Sequence, residues 1–467
     1  MITSFKLKKT YSFFKSLGCM SLLILIFIFW STKGLANSDI QRGSFIRDAE
    51  IESSFKEFVT PLFQVAGLDP KRMHIYLIMN PEINAAASLS ASLFINTGLI
   101  MESKSADQLI GVLAHETGHI AGEHIVRTQA AMQKATLPMI ASVLLGTAVG
   151  VATGRSDAGM AVIMGGMHVG EATFLHYSRG QESAADQAAT KYLDKLGWST
   201  KGLLEFMEVL EKQDLLSSRQ QDPYRLTHPL TKKRINFLSH HVDKSLHTRG
   251  ALPARFYALY NRMKAKLGAF IAPPGHTLSK ISTKNTSVEG RYARAIALYR
   301  NHKLPEALIV INGLISEFPD DAYFYELKGQ MLFENGRIED ALLAYQKAIA
   351  LKPESDLIRL MYAQTLIETQ KPEMNHTAIR ELQKVKDFEK DNSMLWRLLA
   401  IAYGRIHNMG MASLMLAEQA LIEGDMKRAT YHAERAKKQL TTSEKPAKQR
   451  AEDILNEVSF SDEKDDK

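Results

Sequence analysis

The rhythm of apolar and polar positions changes several times along the chain, and each change predicts an element. Leu22 to Trp30 is a continuous apolar block. Phe55, Phe58, Leu62 and Phe63 then recur at helical spacing and predict a helix within 37–71. Met73–Met79 alternates and is rich in Ile, Leu and Tyr, the pattern of a half-buried strand, and Leu93–Asn96 is a second strand closed by Thr97-Gly98. Helical spacing follows to about Ile271. Residues 272–287 (APPGHTLSKISTKNTS) are rich in Pro, Gly, Ser and Thr and nearly free of apolar anchors, so they read as a linker. Residues 137–170 are apolar and rich in Gly, Ala, Met and Val. Arg155 and Asp157 interrupt them, and neither half reaches the ~20 apolar residues of a membrane span. A mobile hydrophobic hairpin folded near the functional site, rather than a membrane insertion, is expected there.

From Val288 a period of 34 residues appears. Ala307, Ala341 and, after a three-residue insertion, Ala378 share one repeat position, and Pro319 and Pro353 share another. The second unit carries Tyr325, Gly329, Leu332, Ala341, Tyr345, Ala348 and Pro353, close to the tetratricopeptide pattern. Trp396, Ala400, Tyr403 and Ala412 mark a fourth unit, and Ala429, Ala433 and Ala436 one further helix able to cap the stack. Such units bury their faces only against their neighbours and present a concave surface to protein partners. Residues 441–467 read as a charged tail, acidic and disordered from about Ser459.

The chain's 467 residues predict two or three domains. The net charge of +7 is concentrated at the start, where five Lys and no acidic residue fall within residues 1–36. With the apolar block and Gly34-Leu35-Ala36, this reads as an export signal cleaved after Ala36. Removing it leaves +2, which takes away the argument for an acidic partner, and no basic stripe interleaved with aromatics supports nucleic-acid binding. The single cysteine, Cys19, lies before the apolar block and so is not a lipid-attachment site. A mature chain without thiols suits an oxidising compartment, and any metal must be held by imidazole and carboxylate.

His115-Glu116-Thr117-Gly118-His119 supplies such ligands inside a helix whose start is marked by Ser105 and Gln108, the spacing of a capping box. Two His at i and i+4 share a helical face and can bind one metal, while Glu116 can reach a water as general base without ligating the metal. Gly122 invites a longer motif with a third His at 125, but position 125 is Ile. His124 comes one place early, points elsewhere on an unbroken helix and reads as a surface or packing residue. The better third ligand is Glu182, on a helix expected to open at Arg179 and run to about Leu196. It would complete a His-His-Glu site with one open position, the catalytic arrangement. Asp186, one turn on, would hydrogen-bond a ligand imidazole. His228 precedes Pro229 in extended backbone and could be a displaceable fourth ligand, an oxyanion stabiliser or a helix-start residue without chemistry.

His115–His119, Glu182–Asp186 and the His228-Pro229 turn resemble the gluzincin peptidases related to the CAAX prenyl protease and the heat-shock membrane protease, over roughly residues 45–270. Asn84-Ala85 and Ile95-Asn96-Thr97-Gly98-Leu99 match that family's stretch before the zinc helix, with Leu89-Ser90-Ala91 where Pro-Gly-Gly is usual. The resemblance implies one Zn2+ per subunit and a substrate-pairing edge strand near Ile95 and Asn96. An exported zinc peptidase followed by tetratricopeptide repeats is similar to a group of periplasmic proteases of Gram-negative bacteria. Members of that group degrade misassembled or stalled outer-membrane β-barrel proteins, give chaperone-like help, dock on the barrel assembly machinery through their repeats and associate peripherally with the outer membrane. In that group a segment near the site guards the zinc, a part that 137–170 or the surroundings of His228 could play. The rival reading is a non-proteolytic adaptor whose zinc site is closed by four ligands.

The expected architecture is therefore α+β and mostly helical. It comprises a signal peptide (1–36), a zinc metallopeptidase domain with a small sheet (37–271), a linker (272–287), an α-solenoid of tetratricopeptide repeats (288–440) and a charged tail (441–467).

Overall fold

The structure, a computed structural model, describes residues 45–88, 91–153, 156–216 and 228–465. The expected signal peptide, and with it Cys19, lies outside the described residues.

Helix α1 (Ala49–Ala66) starts where the Asp48 side chain accepts from the Ile51 N–H and ends at Gly67 with φ 77°. It buries the anticipated stripe of Phe55, Phe58, Leu62 and Phe63. The sheet behind it has four strands in the order β1-β2-β4-β3. Strand β2 (His74–Ile78) and strand β4 (Ser92–Asn96) are the two that the sequence predicted, paired in parallel with Leu77 opposite Ile95. Two shorter strands flank them, β1 (Phe45–Ile46) and β3 (Ala85–Ala87), both antiparallel to their neighbours. In the connection from β3 to β4, Ala91 sits at φ 59°, a left-handed conformation that favours glycine.

Next come α2 (Thr97–Glu102) and α3 (Ala106–Ala121), the latter almost wholly buried. The N-cap half of the expected capping box forms, Ser105 Oγ accepting from the Gln108 N–H at 3.3 Å, while Gln108 Oε1 reaches one residue further back and accepts from the Lys104 N–H at 2.9 Å. Two long helices, α4 (His124–Thr153) and α5 (Ser156–Lys195), form an antiparallel hairpin. Helix α5 does not open at Arg179 as expected, because the hairpin arm and the acidic segment are one continuous helix. The hairpin keeps large apolar side chains outward, among them Leu144 at 67% and Leu145 at 61% exposure. Among the described residues no helix is long and apolar enough to cross a membrane.

Helix α6 (Lys201–Leu216) crosses α3 closely. A Cβ at Gly111 would lie 2.7 Å from the Leu203 backbone N. In an exposed helix Gly→Ala gains up to about 1 kcal/mol. Here the sign should reverse, with Gly111→Ala losing about 1–3 kcal/mol, as a thermal melt would read. Helices α7 (Lys232–Lys244) and α8 (Ala254–Ile271) complete the first domain. The expected linker contains a short helix, α9 (Pro274–Lys280).

Five helix pairs follow: α10 (Val288–Arg300) with α11 (Leu304–Glu317), α12 (Ala322–Glu334) with α13 (Ile338–Leu351), α14 (Asp356–Glu368) with α15 (Pro372–Val385), α16 (Ser393–Arg405) with α17 (Met409–Ile422), and α18 (Met426–Gln439) with α19 (Lys445–Asp465). Ala307, Ala341 and Ala378 are fully buried on the second helix of the first three pairs. Helix α19 corrects the expectation of a charged tail: Ala451, Ile454 and Val458 lie on one face and are buried against the pair before it. A buried ionic cluster joins the two parts. Arg262 on α8 pairs with Glu50 of α1 and Asp321 at the start of α12, Lys266 lies 2.7 Å from Asp48, and the Tyr292 hydroxyl donates to Glu50 at 2.7 Å.

Candidate metal centre

The long helices α3 and α5 cross where both have small residues. A Cβ at Gly118 would lie 2.9 Å from the Ala185 carbonyl oxygen. This contact sets His115 and His119, one turn apart on α3, against Glu182 and Asp186, one turn apart on α5. His115 Nε2 and His119 Nε2 are 3.1 Å apart, and they stand 3.3 and 3.2 Å from the two Glu182 oxygens. His228 enters from the segment before α7, with Nδ1 at 3.2 and 3.3 Å from the same carboxylate. Donor separations of this size are the edges of a tetrahedron about an ion with ~2.0–2.1 Å bonds. His115, His119, Glu182 and His228 are all buried and could hold one metal ion.

The surroundings fit that use. Asp186 Oδ1 lies 2.9 Å from His115 Nδ1. Arg234 on α7 spans both acids, with Nη1 2.8 Å from Glu182, Nε 2.6 Å from Asp186, and Nη1 donating to the Pro229 carbonyl at 3.1 Å. Burial would raise both carboxyls. The imidazoles around Glu182, and Arg234 and His115 beside Asp186, outweigh it and hold both below the ordinary range. Burial would lower His115 too, but Asp186 and Glu182 reverse this and raise it to about 9, whereas burial dominates at His119 and lowers it to about 3. Glu116 is fully buried and neither of its carboxylate oxygens has a hydrogen-bond partner. Burial pushes that carboxyl up against the pull of His228 and His115, the direction that suits a general base. Its nearest cationic group is His228, with Nε2 3.6 Å from Oε1, and a buried carboxylate that makes no hydrogen bond is costly and fits a place beside a metal-bound water.

The expected edge strand is displaced. Ile95 and Asn96 lie on β4, an inner strand bonded on both sides. The outer strand on the site's side is β3. The Asn84 carbonyl accepts from the Asn96 N–H at 3.0 Å, and the Ser88 N–H donates to Ser92 at 2.8 Å. By alternation Ala85 and Ala87 therefore turn their N–H and C=O groups outward. The outward carbonyl of Ala85 accepts from His228 Nε2 at 3.2 Å. His228 thus bridges the carboxylate and the strand edge.

Counting along the sequence missed His124. It is buried, with Nδ1 3.0 Å from His119 Nδ1, because α3 stops at Ala121 and the chain turns before α4. Arg234 was visible only as a charge downstream of His228.

Comparison with known proteins agrees with this geometry. Residues 46–242 match peptidase family M48, and residues 312–429 match the cytochrome c-type biogenesis protein H TPR domain. The chain is 24% identical over 365 residues to the beta-barrel assembly-enhancing protease of Escherichia coli K12, covering 76% of this chain and 72% of that one. It is 23% identical over 338 residues to the protein of that name in Yersinia pestis, covering 70% and 67%. The metalloprotease YcaL of Escherichia coli K12 is 30% identical over 161 residues, covering 34% of this chain and 58% of that one.

Proposed function

We propose that this chain, a metalloprotease by its family M48 domain, is a zinc endopeptidase of the periplasm that takes part in assembly and quality control of outer-membrane β-barrel proteins. One observation carries the catalytic part: four mutually adjacent donors beside a buried carboxylate that makes no hydrogen bond. His115, His119 and Glu182 would hold the zinc, and Asp186 would orient His115. Bound there, zinc supplies Lewis acidity toward a scissile carbonyl and a water molecule. Glu116 takes the proton from the attacking water at a carboxylate oxygen and returns it to the leaving amide nitrogen. An extended substrate adds to the outward edge of β3 through backbone hydrogen bonds. The helix pairs select clients and dock on the barrel-assembly machinery, which supplies chaperone-like help and degradation of stalled forms. The names of the relatives support this biological setting.

His228 closes the site at rest. A site closed by four protein ligands is the structural arrangement, which favours the adaptor reading. The buried Glu116 carboxylate, which a structural site does not need, favours the protease. The test uses an unfolded β-barrel protein as client. Chelation should abolish cleavage and added Zn2+ restore it. His228→Ala should raise the basal rate about tenfold, as expected if the closed state is favoured by ~1.4 kcal/mol. Undiminished cleavage by the chelated protein would overturn the assignment.

A further inference from the structure

We propose that His124 is a positioning residue: it accepts the His119 Nδ1–H at its own Nδ1 and so sets the tautomer and ring orientation of His119. The inference rests on the reading above that His119 ligates zinc through Nε2. His119 Nε2 faces His115 Nε2 at 3.1 Å and Glu182 at 3.2 Å. The opposite ring nitrogen, Nδ1, meets His124 Nδ1 at 3.0 Å, with the rings edge to face at 82°. A neutral imidazole that offers Nε2 to a cation carries its proton on Nδ1 and needs an acceptor there. His124 is buried and is placed to be that acceptor.

The chain is built to bring it there. On an unbroken helix a residue five places on is rotated about 140° from the first, away from the metal face. The helix is broken instead. Glu123 takes φ 51°, a left-handed conformation that a non-glycine residue adopts only at a cost, and α4 begins at His124 itself. Gly122 leaves the ring its room, since a Cβ there would lie 2.4 Å from His124 Nε2. The His124 carbonyl accepts from Gln181 Nε2 at 2.7 Å, and Gln181 immediately precedes Glu182. One stretch of α5 therefore carries the carboxylate ligand and anchors the residue behind the second imidazole.

Three variants test this. His124→Phe keeps a ring but no acceptor. His124→Asn keeps an acceptor oxygen close to the place of Nδ1. Gly122→Ala leaves both histidines and displaces the His124 ring. The expected result is zinc affinity lower by about 10–100-fold in His124→Phe and Gly122→Ala, measured by chelator competition, with most of it recovered in His124→Asn. A metal-independent readout is the 15N signal of His119 in the zinc-free protein. Wild type and His124→Asn should hold the Nδ1–H tautomer, and His124→Phe a mixture. Wild-type zinc affinity with an unchanged tautomer in His124→Phe would overturn the proposal. So would His124→Asn no better than His124→Phe when both melt like the wild type. If zinc binding at His119 fails in the wild type, the zinc reading falls, and the tautomer readout still decides the role of His124. If His124→Phe does not fold, Gly122→Ala against His124→Asn carries the same comparison.

Discussion

Glu116→Gln should lower cleavage of an unfolded β-barrel client by about 10²–10⁴-fold, while zinc content and melting temperature stay at wild-type values. Gln has the shape of Glu but cannot take a proton from water. Glu116 makes no hydrogen bond whose loss would disturb the fold, so the substitution removes chemistry and little else. The buried carboxylate has His228 Nε2 3.6 Å from Oε1, so the neutral amide gives up that weak attraction together with the cost of burying a charge, and any stability change should be small. The readouts are the rate of client cleavage, bound zinc and a thermal melt. A purified Gln variant that cleaves at the wild-type rate would sink the proton-shuttle role, and a variant that loses zinc would show Glu116 to be a ligand.

The second large effect is expected at Arg234. Its guanidinium is 4% exposed and meets Asp186 through two nitrogens, at 2.6 and 2.9 Å, and Glu182 at 2.8 Å. Arg234→Met keeps the length and apolar stem but leaves the two buried carboxylates with only the imidazoles to compensate them, a loss of about 3–5 kcal/mol. In a domain of this size that lowers the melting temperature by on the order of 10 °C. Arg234→Lys should recover only part of it, because an ammonium cannot reproduce the bidentate contact with Asp186. Zinc should return some stability to the Met variant, since a cation beside Glu182 takes over one of the two compensations. An apo-protein melt of Arg234→Met that matches the wild type would remove the guanidinium from the framework of the site.

How much was readable beforehand follows from the range over which each signal acts. His115 with His119, and Glu182 with Asp186, are one helical turn apart, so spacing alone put each pair on one face. The structure then brings the two pairs together. Strand β2 was visible because alternation is a local pattern, and β4 because a short apolar run closed by Thr97-Gly98 is one too. Strand β3 is three alanines, which alternate in nothing, and β1 is two residues. Without β3 in view, the substrate edge was placed on Ile95 and Asn96, one strand too far inward. His124 was lost because its position was computed on a continuous helix, while Gly122 and a left-handed Glu123 reset the rotation. Helix α19 was lost for a compositional reason: its charges outnumber the Ala451, Ile454 and Val458 that dock it. The double pairing of Arg234 joins segments about 50 residues apart, beyond the reach of any periodicity.

The hydrogen bond from His228 to the Ala85 carbonyl has a consequence for the protein's own solubility. A strand that offers unpaired backbone groups recruits any extended chain, including the same segment of another copy, and is where fibrils and amorphous deposits begin. Under the proposed function this protein works among unfolded β-rich chains, where that hazard is greatest. Between clients, the outward carbonyl of Ala85, one of the two outward acceptors of β3, is already satisfied by a side chain of its own fold. A histidine on the Ala85 carbonyl makes the edge a poorer template for stray strands and so protects the protein's own solubility.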